Sequence, residues 1–500
     1  GLAPRFREVA ERRRLPITDW PALSMIQGLR AAQQNLPFMP VQLPAGSSMI
    51  ERCPAVRFHR DPGSGRVVGL VDAQSIDTVL LHAPRADADG NIEIYGARAL
   101  DLAVVGAARQ VLATVEEIVP AGALQSGGRA TIITRNLVTA IAEVPGGAYP
   151  TSCLPYYVTD YARIRDVLEG RHGPLRQALR RPADAPSVTL RGAARAPADK
   201  IRPEPFLSAD ASTGSPTIDE FMVARIARML DNESFASAGA VSPLANVAYR
   251  LAKATHAPRM LIATLSCGHV DIAPGTMTLS LMETMDAATA AVHCGGDDTY
   301  STYYQPGLVT HEIIGAAQVG PRGETNNLEL VKPSGGLLRL PGQGGMSDVA
   351  NMHRNYVVYV TRHSPTTLVK SVAVVSSARG LVTAEERQQA GYQPGDIWLV
   401  TNLCVFRFDE DARQLVVVET MPGVSRDEIV GQTGFPVLFS PECREVEPPG
   451  AAVLHALRTV VDPLGLRRLE FVGAKERGAL LDEIIARDAE GTRRIVEAEA

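Results

Sequence analysis

Ser266, Cys267, His269 and Asp271 stand within six residues of one another, with Gly268 among them. A hydroxyl or thiol, an imidazole and a carboxylate are the parts of nucleophilic catalysis, in which the imidazole takes the proton of the attacking group. His269 and Asp271 are two apart, so an extended backbone puts them on one side. The same residues also fit a plainer description: a polar strand end turning at a glycine that tolerates positive φ. The preceding run, residues 260–265, is apolar and bounded upstream by Pro258. It predicts a buried strand, with a buried helical segment as the alternative that periodicity leaves open. Chemistry placed directly after a buried strand lies at the rim of a sheet, where open α/β folds bind ligands.

Three other stretches carry reactive or permissive residues. His293, Asp297 and Asp298 flank Cys294-Gly-Gly and could reach the same region, but their spacing matches no metal-ligand pattern, so no metal is expected. The turn Gly239-Ala-Val-Ser-Pro243 precedes a helix and lets a ligand approach backbone N–H groups; a tight turn alone explains it equally. Gly342, Gly344 and Gly345 form a second flexible loop, and no Gly-Lys-Ser/Thr follows, which excludes a Walker loop.

The elements that must position these residues are ordinary for a globular protein. Five hundred residues suggest two to four domains with ample core, and 45% hydrophobic with 21% charged residues fits that class. A net charge of -5 offers no basic field for nucleic acid. The sequence shows no bilayer-length apolar run and no signal-peptide core, which predicts no membrane partner. The six cysteines are scattered without a CxxC pair, which argues against a disulfide framework or zinc site and fits a reducing cytoplasm.

Along the chain, residues 6–15 predict a helix, 67–71 and 78–81 strands, 97–113 a helix, and 111–119 its exit into another strand. Residues 181–215, rich in Pro, Ala and Arg, read as a linker. Beyond it, 219–230 and 244–254 predict helices around a strand starting at Phe235. Residues 356–361, 370–375 and 397–406 are further strand candidates, and the tail from 447 is charged and helical. Strand alternating with helix predicts a mostly parallel α/β fold.

The motifs resemble one family. His82-Ala-Pro-Arg-Ala-Asp-Ala-Asp-Gly-Asn91 and Thr114-Val-Glu-Glu-Ile-Val119 look like the α subunit of class I CoA-transferases of the glutaconate type. Gly239-Ala-Val-Ser-Pro243, Ala252-Lys-Ala-Thr-His-Ala-Pro258, Gly315-Ala-Ala-Gln318, Leu340-Pro-Gly-Gln-Gly-Gly345 and Met421-Pro-Gly-Val424 look like the β subunit. The resemblance covers nearly the whole chain up to about residue 445. It implies an α-like domain, 1–180, fused to a β-like domain, 216–446. The implied fold is two similar, mostly parallel α/β domains of the NagB/RpiA-like type packed as a pseudo-dimer. The expected cleft lies between the halves, bordered by 266–271 and the loop 342–345. The resemblance further implies coenzyme A as substrate thioester, with Gly239, Gly268, Gly342, Gly344 and Gly345 at its site. Acyl-CoA and a carboxylic acid acceptor are the implied partners, and the enzyme is expected to be a homo-oligomer.

Two departures shape the expectation. The family's α subunit has a further strand–helix unit before the region matching Gly1, so the chain reads as lacking it. The family's β subunit also has a glutamate, usually Glu-(small)-Gly, that attacks the thioester. Aligning its glycine on Gly268 puts Ser266 in the glutamate's place and Cys267 at the small residue. A serine ester is not an anhydride and cannot pass CoA through an enzyme thioester. Relatives lacking the glutamate include CoA-thioester ring-opening hydrolases that use a water and a general base. Ser266, Cys267, His269 and Asp271 are therefore the catalytic candidates. They are joined by Asp19, which lies where family members often carry an acid facing the cleft. Glu93, Glu116 and Glu117 sit in family-like motifs, and for Glu116 and Glu117 a structural or subunit-seam role is expected. CoA transfer is the reaction the family name implies; hydrolysis, C–C cleavage, or non-catalytic CoA binding are the alternatives.

Overall fold

The computed structural model describes residues 4–12, 15–124, 130–183, 214–237, 239, 242–279 and 286–499. Most of the expected linker lies outside the described residues. The chain forms two compact units, each drawing on three stretches: Gly1–Gln74, Pro216–Ala252 and Tyr300–Gly450 in the first, Ser75–Ser215, Lys253–Thr299 and Ala451–Ala500 in the second.

In the first unit, strands Phe235–Ser237, His311–Gly315, Asn355–Val360 and Ile397–Thr401 run parallel in that order. Residues 356–360 are all buried, the continuous apolar run expected of a parallel strand covered on both faces. Cys404–Asp409 and Gln414–Thr420 then continue the sheet antiparallel. Gln414–Thr420 alternates buried and half-buried positions, as a strand with one wet face does. Tyr356, Val358, Leu399, Phe406, Leu415 and Val417 make the core of this sheet; burying each large apolar side chain contributes about 1.5–3 kcal/mol. Helix Ile218–Ala227 opens on a capping box between Thr217 and Glu220, which satisfies orphan N–H groups at its start.

In the second unit, the long strands Ile76–Asp87 and Ala108–Val119 pair in parallel, with Ala140–Glu143 parallel beyond and Ile92–Tyr95 and Ala130–Ile133 antiparallel on the other side. Their core is Ala83, Ala86, Ile92, Val111, Val115 and Ile133. The tail ends in helix Ala474–Glu499. No helix among the described residues is long and apolar enough to cross a membrane.

Three expectations need correction. The helix expected over 97–113 stops at Ala107, because from Ala108 the chain enters the ladder with Ile76–Asp87. Non-local backbone pairing overrides the helical pattern of Ala-rich sequence there. Residues 370–375 form no strand; the segment runs as bends and irregular chain. The single strand expected over 397–406 is a hairpin, turning at Asn402 between two antiparallel strands. An unbroken apolar run cannot show a turn that lies inside it.

Candidate active site

The expected strand is present as Leu261–Thr264. The chain then makes a one-turn 3-10 helix, Leu265–Cys267, and returns antiparallel as His269–Val270. Gly268 allows the reversal with φ +82°. It is fixed from outside as well: a Cβ on Gly268 would collide with the Cys294 carbonyl, and one on Gly296 with the Ser266 carbonyl. Cys294 N–H donates to the Gly268 carbonyl at 2.9 Å, and the Thr299 hydroxyl to the Leu265 carbonyl at 2.7 Å. The glycine-rich loop at 294–296 thus packs directly on the Ser266 turn.

Within this turn the candidates separate. Ser266 is exposed, whereas Cys267 is buried and His269 wholly so. His269 lies opposite His293 in the strand register, with Nδ1 to Nδ1 at 3.2 Å and the rings edge to face. Asp271 takes φ +56° and is held by Lys253, whose ammonium donates to its carboxylate at 2.9 Å and to the Ile272 carbonyl at 2.8 Å. Lys253 is buried, so this pair anchors the strand exit.

The other candidates belong to the first unit. Asp19 is ion-paired with Arg339 and lies 3.7 Å from Arg52, in a network with Glu329. Gly342 and Gly344 have φ +111° and +54°, and a Cβ at either would meet nothing within 4 Å. Gly345 differs: a Cβ there would stand 2.5 Å from the Tyr300 hydroxyl. Helix Met346–Met352 follows this loop. Its last carbonyls are satisfied by two buried arginines, Arg379 on Ala350 and His353, and Arg387 on Asn351. At the other end of the helix the Leu23 N–H donates to Asp348 at 3.0 Å. Gly239 is half-buried, and its carbonyl accepts from the Asn246 side chain at 2.9 Å.

The buried carboxyls of the first unit were not singled out by sequence. Glu312 lies in strand His311–Gly315, and burial pushes its carboxyl up to about 8 against the opposite pull of the Ser237 and Tyr304 hydroxyls. Burial likewise raises Asp348 to about 7 and lowers the nearby His353 to about 3, so that the imidazole is neutral. The signal was a carboxylate inside an apolar parallel strand, where an unpaired charge is expensive.

The α-like motifs turn out to build structure. His82-Ala-Pro-Arg-Ala-Asp-Ala-Asp-Gly-Asn91 is a strand end and its turn: Asp87 accepts from the N–H groups of Asp89 and Asn91, and Gly90 takes φ +95°. Glu93 is clamped by Arg85, and Glu117 accepts from Tyr156. Glu116 accepts from the Tyr157 hydroxyl, the Gly146 N–H and His82 Nε2, each at 2.7 Å. His82, Glu116 and Cys153 lie close enough to share a metal ion. The lone pairs of His82 and Glu116 are already engaged, however, and burial pushes the Cys153 thiol up to about 12, away from the thiolate a metal needs.

A family model for coenzyme A transferase matches residues 222–432. One subunit of the 3-oxoadipate CoA-transferase from Pseudomonas knackmussii is 27% identical over 245 residues, covering 48% of this chain and 92% of that protein. The cholesterol ring-cleaving hydrolase IpdA subunit of Mycobacterium tuberculosis is 33% identical over 143 residues, 27% of this chain and 49% of that protein. The acyl-CoA transferase YdiF of Escherichia coli O157:H7, solved as a thioester complex with CoA, matches with TM-score 0.63 at 14% identity, covering 90% of this chain and 79% of that one, a likeness of fold. Residues 222–432 thus match the coenzyme A transferase family model, and the chain shares the α/β fold of a solved acyl-CoA transferase.

Proposed function

We propose that this protein is an acyl-CoA-processing enzyme that works by proton transfer to and from a water or substrate, without a carboxyl-bound acyl intermediate. The observation that carries this is the Ser266 turn. No carboxylate stands between Met260 and Val270, and Asp271, the nearest, is committed to buried Lys253 at 2.9 Å. The exposed side chain at the place implied for the family's glutamate is a serine hydroxyl. An ester on that oxygen lacks the anhydride's reactivity toward a CoA thiolate, so exchange of CoA between two acids has no route through it. Hydrolysis of the thioester, or C–C cleavage of the acyl group by a base-activated water, needs no such nucleophile. Likeness to the subunit of a ring-cleaving hydrolase is compatible with this choice, alongside the likeness to CoA-transferase subunits.

Remote binding of the nucleotide and pantetheine arms then helps to lower the barrier at the reacting carbonyl. The glycine loop 342–345, with open space at Gly342 and Gly344, is our candidate for the backbone that receives part of CoA. The test is incubation with a panel of acyl-CoA thioesters, with and without an added carboxylic acid, followed by borohydride or hydroxylamine trapping. Turnover independent of the acid, with no trapped carboxyl adduct, is expected. A CoA adduct on a carboxylate, with turnover dependent on the acid, restores CoA transfer.

A further inference from the structure

Strand His311–Gly315 lies beside Phe235–Ser237 with Glu312 opposite Ser237. The hydroxyls of Ser237 and Tyr304 are hydrogen-bonded to each other. Tyr304 sits in the π-helical turn Tyr300–Tyr304, its ring 4.8 Å from that of Tyr300 and edge-on to His353 at 5.0 Å. Tyr300 in turn rests its hydroxyl against Gly345, where even a methyl group has no room. A continuous series of contacts therefore joins Glu312 to the glycine loop, all within the first unit.

Packing alone does not account for an acid here, since Ile313 and Ile314 fill the same strand with hydrocarbon. Among the described residues, Glu312 Oε2 has no hydrogen-bond partner, nor has either nitrogen of His353, and the two side chains stand 3.7 Å apart. Leaving such atoms short of partners is costly, which points to a role. The groups facing Glu312 are the phenols of Tyr249, Tyr300, Tyr304 and Tyr356, and the His353 imidazole. Among the described residues, no lysine or arginine is ion-paired with it.

We propose that Glu312 is a positioning residue: through Ser237, Tyr304 and Tyr300 it holds Gly345, and with it the loop 342–345, in the form that receives the CoA thioester. The proposal rests on the CoA-thioester reading above. A neutral Glu312 can turn its proton toward His353 Nε2 and fix the backing of the Tyr300–Tyr304 pair. Once ionised it has no proton to give, and the ring pair loses that support.

The test is calorimetric titration of CoA into the full chain, from about pH 6 to about pH 9, for wild type, Glu312→Gln and Tyr300→Phe. Wild-type affinity should fall several-fold as pH rises through about 8. Glu312→Gln keeps a neutral donor, so it should bind CoA at neutral pH and lose that fall; comparing the two cancels titration of CoA itself. Tyr300→Phe, which removes the hydroxyl against Gly345, should weaken binding at every pH. Binding with parallel pH profiles in wild type and Glu312→Gln overturns the proposal alone, as does unchanged affinity in Tyr300→Phe. Absence of CoA binding by wild type at every pH overturns the CoA-thioester reading and the proposal with it.

Discussion

At the Ser266 turn the reactive side chain faces outward and backbone packing does the fixing; around Glu312 the backbone is regular and the side chains carry the tension. The turn is held by carbonyl-to-glycine contacts at Gly268 and Gly296, and its ionisable neighbours are already paired, Asp271 with Lys253 and His269 facing His293. The cluster is buried, rich in phenols, and keeps a carboxyl and an imidazole short of partners. Titration near neutral pH therefore belongs to the buried cluster. A serine hydroxyl is intrinsically a poor base wherever it lies, whereas a buried carboxyl has its proton affinity raised by loss of water.

The comparison breaks most readily at Gly268. Gly268→Ala places a methyl group against the Cys294 carbonyl at a positive φ, and should cost about 3 kcal/mol or more, since strain and collision add. Urea denaturation reads it out; an unshifted midpoint would mean that rigid backbone packing does not hold the turn.

Glu312→Gln sharpens the other side. The folded carboxyl titrates at about 8, above its ordinary 4.5, so the fold favours the protonated acid. Its contribution is complete below about pH 4.5 and is lost as pH rises toward about 8, at up to about 1.4 kcal/mol per pH unit. Wild-type stability should therefore decline across that window relative to Glu312→Gln, to a total on the order of a few kcal/mol. Denaturation series at several pH values measure it, and equal slopes in both proteins would remove Glu312 as the titrating group.

Ser266→Ala should have the smallest effect. If a base-activated water does the chemistry, loss of this hydroxyl should change turnover by less than about tenfold, against about 10²–10⁴ for loss of a general base. Single-turnover rates with an acyl-CoA decide it, and a loss of the larger size would make Ser266 a nucleophile.

Much of this arrangement was legible in the chain itself. The buried strand before Ser266, the positive φ at Gly268, the helix beginning at Pro243 and the ordered family motifs all follow from local apolar runs, turn residues and spacing. What local pattern could not show is which ionisable groups meet. Lys253 and Asp271 are 18 residues apart, His269 and His293 24, and Tyr300 and Gly345 meet only because the folded chain stacks them. The start of the long strand at Ala108 reads as helix from local pattern for the same reason, its partner lying in Ile76–Asp87.

Read along the chain, the residues carry the alternation of strand and helix, the apolar strand before Ser266, and the lack of a carboxylate between Met260 and Val270. Those are statements about composition and order along one dimension. Tertiary structure alone decided that Asp271 is occupied, that Cys267 and His269 are buried while Ser266 is exposed, and that Glu312 is buried beside the His353 imidazole. The physical reason is that charge state depends on the dielectric surroundings and partners of a group, and these are set by residues distant in the chain.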